Sequence, residues 1–211
     1  MRDGGRFIAF VGLPGSGKSA ITTSLAKMWG ADSFLEPEEW PPAVSEREVC
    51  GRFTGLQWFR SARVPLYFAA DQVRRRGGTA ILDSYYDKLC AHWLGAAGME
   101  WLISPSDAYF STAQNVAELD WGRLPLVDVL IVLTVDESTW LKFLTARGRK
   151  LDETLTISKT YGTQEYFRSA ASKLEAETGI KLVEFRQEYS TPDDAARRLS
   201  TVLTSQGVIV N

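Results

Sequence analysis

The chain has 211 residues, 45% of them hydrophobic and 24% charged, which suits one globular domain with a sizeable core. A formal net charge of -2 argues against a general polyanion binder, so nucleic acid is not expected as a partner. Cys50, Cys90 and the lone His92 form neither a disulfide framework nor a metal-ligand spacing, no apolar run reaches membrane-spanning length, and the start leaves no room for a signal peptide, so a cytoplasmic protein off the membrane is expected.

In chain order, the apolar run Phe7 to Val11 predicts a buried parallel strand. It leads into Gly12-Leu13-Pro14-Gly15-Ser16-Gly17-Lys18-Ser19, which fits the phosphate-loop pattern G-x-x-x-x-G-K-[ST] at every fixed position. Ala20 to Trp29 follows as a helix, with Ile21, Leu25 and Met28 at helical spacing. Ser33-Phe34-Leu35 reads as a short second strand, and Pro37, Pro41 and Pro42 make a loop of what comes after it. Val49 to Arg76 reads as one or two helices, with Pro65 as a break or kink, stopped by Gly77-Gly78.

Thr79 to Asp83 is a further buried strand that ends in a carboxylate. Helices are expected from Tyr85 to Leu94 and from Pro105 to Leu119, then a strand from Val127 to Val135. Asp136-Glu137-Ser138 opens a helix running through Ala146. After Arg147 to Glu153 come a long helical stretch to about Thr178, a strand from Lys181 to Phe185 and a helix from Pro192 to Thr204. Strands alternating with helices predict an α/β fold with a mostly parallel sheet, flanked by helices in three layers.

The phosphate loop carries the most specific chemistry. Gly12, Gly15 and Gly17 let backbone N–H groups converge on an anion, and the helix starting near Lys18 adds its free N–H groups and dipole. Ser16, between Gly15 and Gly17, also belongs to that cradle. Lys18 is placed to reach the β- and γ-phosphates of ATP, with the Ser19 hydroxyl in a Mg²⁺ shell. Glu36, at the mouth of the second strand, can take the proton of an attacking hydroxyl, and Trp40 beside it offers a flat face to a ring. An acidic surface turn would present the same residues. Asp83 would suit Mg²⁺ or its water shell, or a helix cap, or both. Arg147, Arg149 and Lys150 at a helix end either complement its dipole or form a lid, over about 147–153, that neutralises charge on a transferred phosphoryl group. The tryptophans other than Trp40, with Trp58 as an exception, are expected in the core.

These motifs resemble the deoxynucleoside kinases, which are relatives of thymidylate kinase. Glu36-Pro37 with Trp40 is similar to the family's Glu-Pro-…-Trp segment, whose glutamate is the catalytic base, although the tryptophan arrives one residue early. Arg147-Gly148-Arg149-Lys150-Leu151-Asp152 resembles the lid Arg-x-Arg-x-x-Glu, with aspartate in the last place. Gln57 corresponds to the glutamine that pairs with the substrate's base, and Arg60 or Arg63 to a nearby arginine. Asp83-Ser84-Tyr85 lacks the arginine that follows the acidic residue in both relatives, while Leu66 to Asp71 resembles a thymidylate kinase helix. The resemblance implies a single P-loop NTPase-type kinase domain over 1–211, with a small lid, moving the γ-phosphate of ATP to a nucleoside hydroxyl. A monophosphate, or another small alcohol such as an antibiotic, is the alternative acceptor. A nucleotide-hydrolysing switch is a third reading, for which no base-reading motif is evident. The long flanking helices leave room for a homodimer.

Overall fold

A computed structural model describes residues 4–37, 39–41, 44, 50–148 and 157–208, with the backbone alone at 157–159. Arg149 and most of the expected lid lie outside the described residues, as do Glu38 and Pro42. Five strands form one parallel sheet: β1 (Arg6–Gly12), β2 (Asp32–Phe34), β3 (Thr79–Leu82), β4 (Val129–Val135) and β5 (Lys181–Gln187), in the order β2-β3-β1-β4-β5. Register runs through Ile8, which faces Ile81 on one side and Val129 on the other. The central strands are unbroken apolar runs because both faces are covered. β5, at the edge, alternates buried and exposed residues instead.

Nine helices or turns of helix occupy the connections among the described residues, and eight are α-helical: α1 (Lys18–Trp29), α2 (Arg52–Arg75), α3 (Tyr86–Leu89), α4 (Phe110–Arg123), α5 (Glu137–Arg147), α6 (Ile157–Gly162), α7 (Gln164–Thr178) and α8 (Pro192–Ser205). Ile8, Phe10, Ile131 and Leu133 meet Ile21 and Leu25 of α1 and Leu199 and Leu203 of α8. On the other face Phe7, Val11, Leu130 and Val132 meet Tyr67 of α2, Trp140 of α5 and Phe167 of α7. The result is the expected three-layer α/β fold.

Four boundaries differ from the sequence reading. Pro65 does not break α2, which runs as a single helix across it. A mid-helix proline costs roughly 3 kcal/mol. Gly55, Phe59, Arg63, Tyr67 and Asp71 recur every fourth residue on its buried face, and each large apolar side chain buried there returns about 1.5–3 kcal/mol. Packing therefore outweighs the local defect. The helix expected from Tyr85 to Leu94 shortens to α3 followed by a 3₁₀ turn at Cys90–His92. Here Asp87 and Lys88 are buried against partners from other elements, which dictate the backbone path.

The helix expected from Pro105 instead starts at Phe110. Ser104 and Asp107 satisfy nearby backbone N–H groups (Ser106 N at 3.3 Å, Tyr109 N at 2.9 Å) and favour a turn there. The long helical stretch expected up to about Thr178 divides at Thr163 into α6 and α7.

Candidate functional site

Parallel strands place their carboxyl ends together, and the candidate residues gather at that edge. The phosphate loop joins β1 to α1 at its centre. A Cβ on Gly12 would lie 2.4 Å from the Leu133 carbonyl oxygen of neighbouring β4, so only glycine fits that close approach. Gly15 has φ +76°, and a Cβ there would meet Leu144 Cδ2 at 2.5 Å. The loop is backed by Trp140, fully buried on α5, whose indole Nε1 donates to the Pro14 carbonyl at 2.8 Å. α1 begins at Lys18 with no side-chain cap, leaving its first N–H groups for an anion. Ser16 is buried, its hydroxyl without a hydrogen-bond partner among the described residues.

Lys18 is itself buried, and its ammonium donates to the Gly12 and Leu13 carbonyls at 3.1 and 2.9 Å. Burial pulls it down to about 8, against the opposing pull of the Glu36 and Asp83 charges. It sits 5.2 Å from the centre of the Tyr86 ring. The Tyr86 hydroxyl donates to Gly12 O, the same carbonyl that Lys18 holds. Burial and the Glu36 charge hold that phenol well above its ordinary value, so it stays neutral.

Asp83 follows β3 and is almost fully buried. Its two oxygens accept from the Ser19 hydroxyl at 2.5 Å and from the Glu36 backbone N–H at 3.0 Å. Burial raises its carboxyl above the usual range, while the Ser19 hydroxyl opposes that shift. Among the described residues no cluster of three His, Cys, Asp or Glu side chains is placed to hold a metal. Ser19 and Asp83 together offer two hard oxygens beside the phosphate loop. That donor set fits Mg²⁺, which takes few protein ligands and completes its shell with phosphate oxygens and water.

Glu36, 29% exposed, presents its carboxylate to Arg63 of α2, whose Nη1 donates to Oε1 at 2.7 Å. Arg63 gives its Nε and Nη2 to the two oxygens of Asp87 at 2.7 and 3.0 Å. Burial works against the Arg63 charge, but Asp87 and Glu36 outweigh it and hold the guanidinium well above its usual value. The guanidinium also lies 5.6 Å from the ring centres of both Phe59 and Tyr86. Trp40 closes this side: its indole donates to Pro37 O at 3.0 Å and its ring meets Phe59 edge-on at 4.9 Å.

The remaining candidates divide. Gln57 lies half-buried on α2, ahead of Arg63 on the same helix. Arg60 leads elsewhere: its Nε and Nη2 clamp Asp120 of α4 at 2.5 and 2.6 Å. Arg147 ends α5, with its guanidinium carbon 3.6 Å from where a Gly15 Cβ would stand, so its charge lies against the phosphate loop. A cleft of about 430 Å³ opens on α5 between Leu141, Lys142, Thr145, Ala146 and Tyr189. Sequence reasoning missed Tyr86, Asp87 and Trp140 as parts of the site. An aspartate and a tyrosine directly after the Asp83 strand end were the available signal for the first two; nothing local pointed to the third.

His92 sits edge-on to Trp121 at 4.1 Å, away from these groups. No helix among the described residues is long and apolar enough to cross a membrane. No family description matches the sequence, and no curated protein is similar to it in sequence. Solved structures are similar in fold. Deoxyadenosine kinase from M. mycoides with bound dATP aligns over 94% of this chain and 99% of its own, at a TM-score of 0.70 and 16% identity. The same enzyme with dCMP and dCDP gives a TM-score of 0.64 at 18% identity, again over 94% of this chain and 99% of its own. Thymidylate kinase from Candida albicans aligns over 97% of this chain and 93% of its own, at a TM-score of 0.62 and 17% identity. Over nearly its whole length, the chain therefore has the fold of these kinases.

Proposed function

We propose that the protein is an ATP-dependent phosphotransferase that moves the γ-phosphate to a neutral hydroxyl of a nucleoside or nucleoside-like molecule. The observation that carries this reading is the Glu36–Arg63–Asp87 chain beside the phosphate loop. A carboxylate held at the mouth of β2 suits the removal of a hydroxyl proton. Among the described residues, the arginine paired with it is already shared between two carboxylates, so it is poorly placed to grip an acceptor phosphate.

The donor triphosphate lies in the loop, on backbone N–H groups and the start of α1, and Lys18 turns from its carbonyl partners to the phosphates. Tyr86 then keeps the Gly12 carbonyl satisfied. Ser19 and Asp83 would hold Mg²⁺, which supplies charge neutralisation on the phosphates when bound. Glu36 takes the proton as the acceptor oxygen bonds to the γ-phosphorus, and the bond to the β–γ bridging oxygen breaks to release ADP. Arg147, with Arg149, neutralises charge on the transferring group. Of the two candidate arginines on α2, this reading keeps Arg63 and gives Arg60 to the α2–α4 contact.

The test is ADP release from ATP with a panel of deoxynucleosides, their 5′-monophosphates and no acceptor, run on wild type and Glu36→Gln. A nucleoside is expected to be a better acceptor than its own monophosphate. Glu36→Gln is expected to lose at least about a hundredfold in kcat, within the usual worth of a positioned base, with KM for ATP nearly unchanged. A preferred monophosphate together with an active variant would make this a nucleotide kinase. ADP release without acceptor would instead make it a hydrolytic switch.

A further inference from the structure

Asp87 touches neither the donor phosphates nor the transferred proton in the chemistry above, yet it is buried and fully engaged. Its side chain is 5% exposed and that of Arg63 is 9% exposed. The Tyr67 hydroxyl donates to Asp87 Oδ2 at 3.1 Å and accepts the Asp87 backbone N–H at 3.2 Å, so the carboxylate is locked in place. What it occupies is the Nε–Nη2 edge of Arg63, two parallel donors whose spacing matches two oxygens of a carboxylate or phosphate. Among the described residues, the charges of Glu36, Asp83 and Asp87 act on Lys18, Arg63 and Arg60, and Arg147 lies at the neighbouring helix end; Lys18 belongs to the donor phosphates.

We propose that Asp87 is a specificity-determining residue: by filling the two-donor edge of Arg63 it denies that edge to a phosphate, so the site admits a neutral hydroxyl acceptor and turns away the corresponding monophosphate. The inference rests on the phosphotransferase reading for the identity of the pocket, and it works as discrimination against a wrong ligand rather than attraction to the right one. With two carboxylates on one guanidinium the trio carries an excess negative charge, which repels a dianion. Asp87→Asn removes that excess without altering the size of the side chain.

The experiment compares wild type, Asp87→Asn and Asp87→Glu, all checked for native circular dichroism. Deoxynucleosides and their 5′-monophosphates are titrated calorimetrically without ATP and assayed as acceptors with ATP. Asp87→Asn is expected to bind monophosphates at least tenfold more tightly than wild type and to move the kcat/KM ratio toward them by a similar factor, mostly through KM. Asp87→Glu, which keeps the charge, is expected to retain the wild-type preference. A folded Asp87→Asn with unchanged monophosphate binding overturns the inference. If that variant does not fold, wild type decides: a monophosphate that binds tenfold more tightly than its nucleoside overturns the proposal, and equal or weaker binding upholds it. Tighter monophosphate binding by the variant without any turnover by wild type would uphold the role of Asp87 while refuting the phosphotransferase reading.

Discussion

Lys18 shows how burial and charge set a working range. In the free protein its ammonium is buried and lowered to about 8, with two loop carbonyls as partners. A bound triphosphate adds negative charge beside it and raises it again. Nucleotide binding must therefore take up a proton once the pH exceeds the free-state value. Affinity should be constant below pH 8 and fall by up to about tenfold per unit above it, until the bound-state value is reached. Calorimetric Kd values for a non-hydrolysable ATP analogue at pH 7 and pH 9 check this, and a flat profile would contradict it. Lys18→Ala should abolish phosphoryl transfer with an unchanged far-ultraviolet spectrum, because Lys18 is the only charged side chain within the loop.

At the scale of elements, α5 does two jobs. Its start is fixed by Asp136, whose carboxylate accepts from Thr139 N and Ser138 Oγ at 2.8 Å, and its middle supports the phosphate loop through Trp140. Its last residue, Arg147, is thereby carried to Gly15. If that charge acts mainly on the transferring group, Arg147→Ala should lower kcat by more than it weakens ATP binding. Arg147→Lys should recover only part of the loss, since an ammonium cannot reproduce a planar two-donor fork. Steady-state kinetics beside a direct ATP Kd separate the effects. An unchanged kcat would leave Arg147 as a helix-end charge, a role equally suited to that position.

On the whole-molecule scale, the proposed site draws on β1, β2, β3, α1, α2, α3 and α5, and one ligand would touch most of them. Binding to the native state alone should then stabilise the entire fold. At a hundred times Kd the gain is about 2.7 kcal/mol. For a chain of this length that corresponds to a rise in Tm of roughly 5–10 °C. Melting curves with ATP and Mg²⁺ should show it, and chelating the metal should shrink it in wild type. Ser19→Ala should lose most of the Mg²⁺-dependent part, because half of the protein's oxygen pair would be gone. Equal shifts with and without the metal would remove Ser19 and Asp83 from that role.

The sequence by itself determined the phosphate loop, the central strands and the order of the layers. Each depends on neighbours in the chain: Gly12 to Ser19 are contiguous, and the runs at Phe7 and Val129 are apolar throughout because both faces are buried. It also put Glu36 and Asp83 at strand ends, but it gave no sign that the Glu36 backbone N–H donates to the Asp83 carboxylate. Tertiary structure alone decided the partners of the charges. Arg60 and Arg63 lie one helical turn apart on α2 and look interchangeable in sequence. One meets Asp120, 60 residues away, and the other meets Asp87, 24 residues away, because α2 packs between α4 and the sheet edge. Likewise, the indole of Trp140 finds Pro14 across 126 residues. Local pattern sets whether a segment is buried and in what conformation, but the partner of a buried charge is chosen by whichever element packs against it. A single sequence does not carry that information at short range.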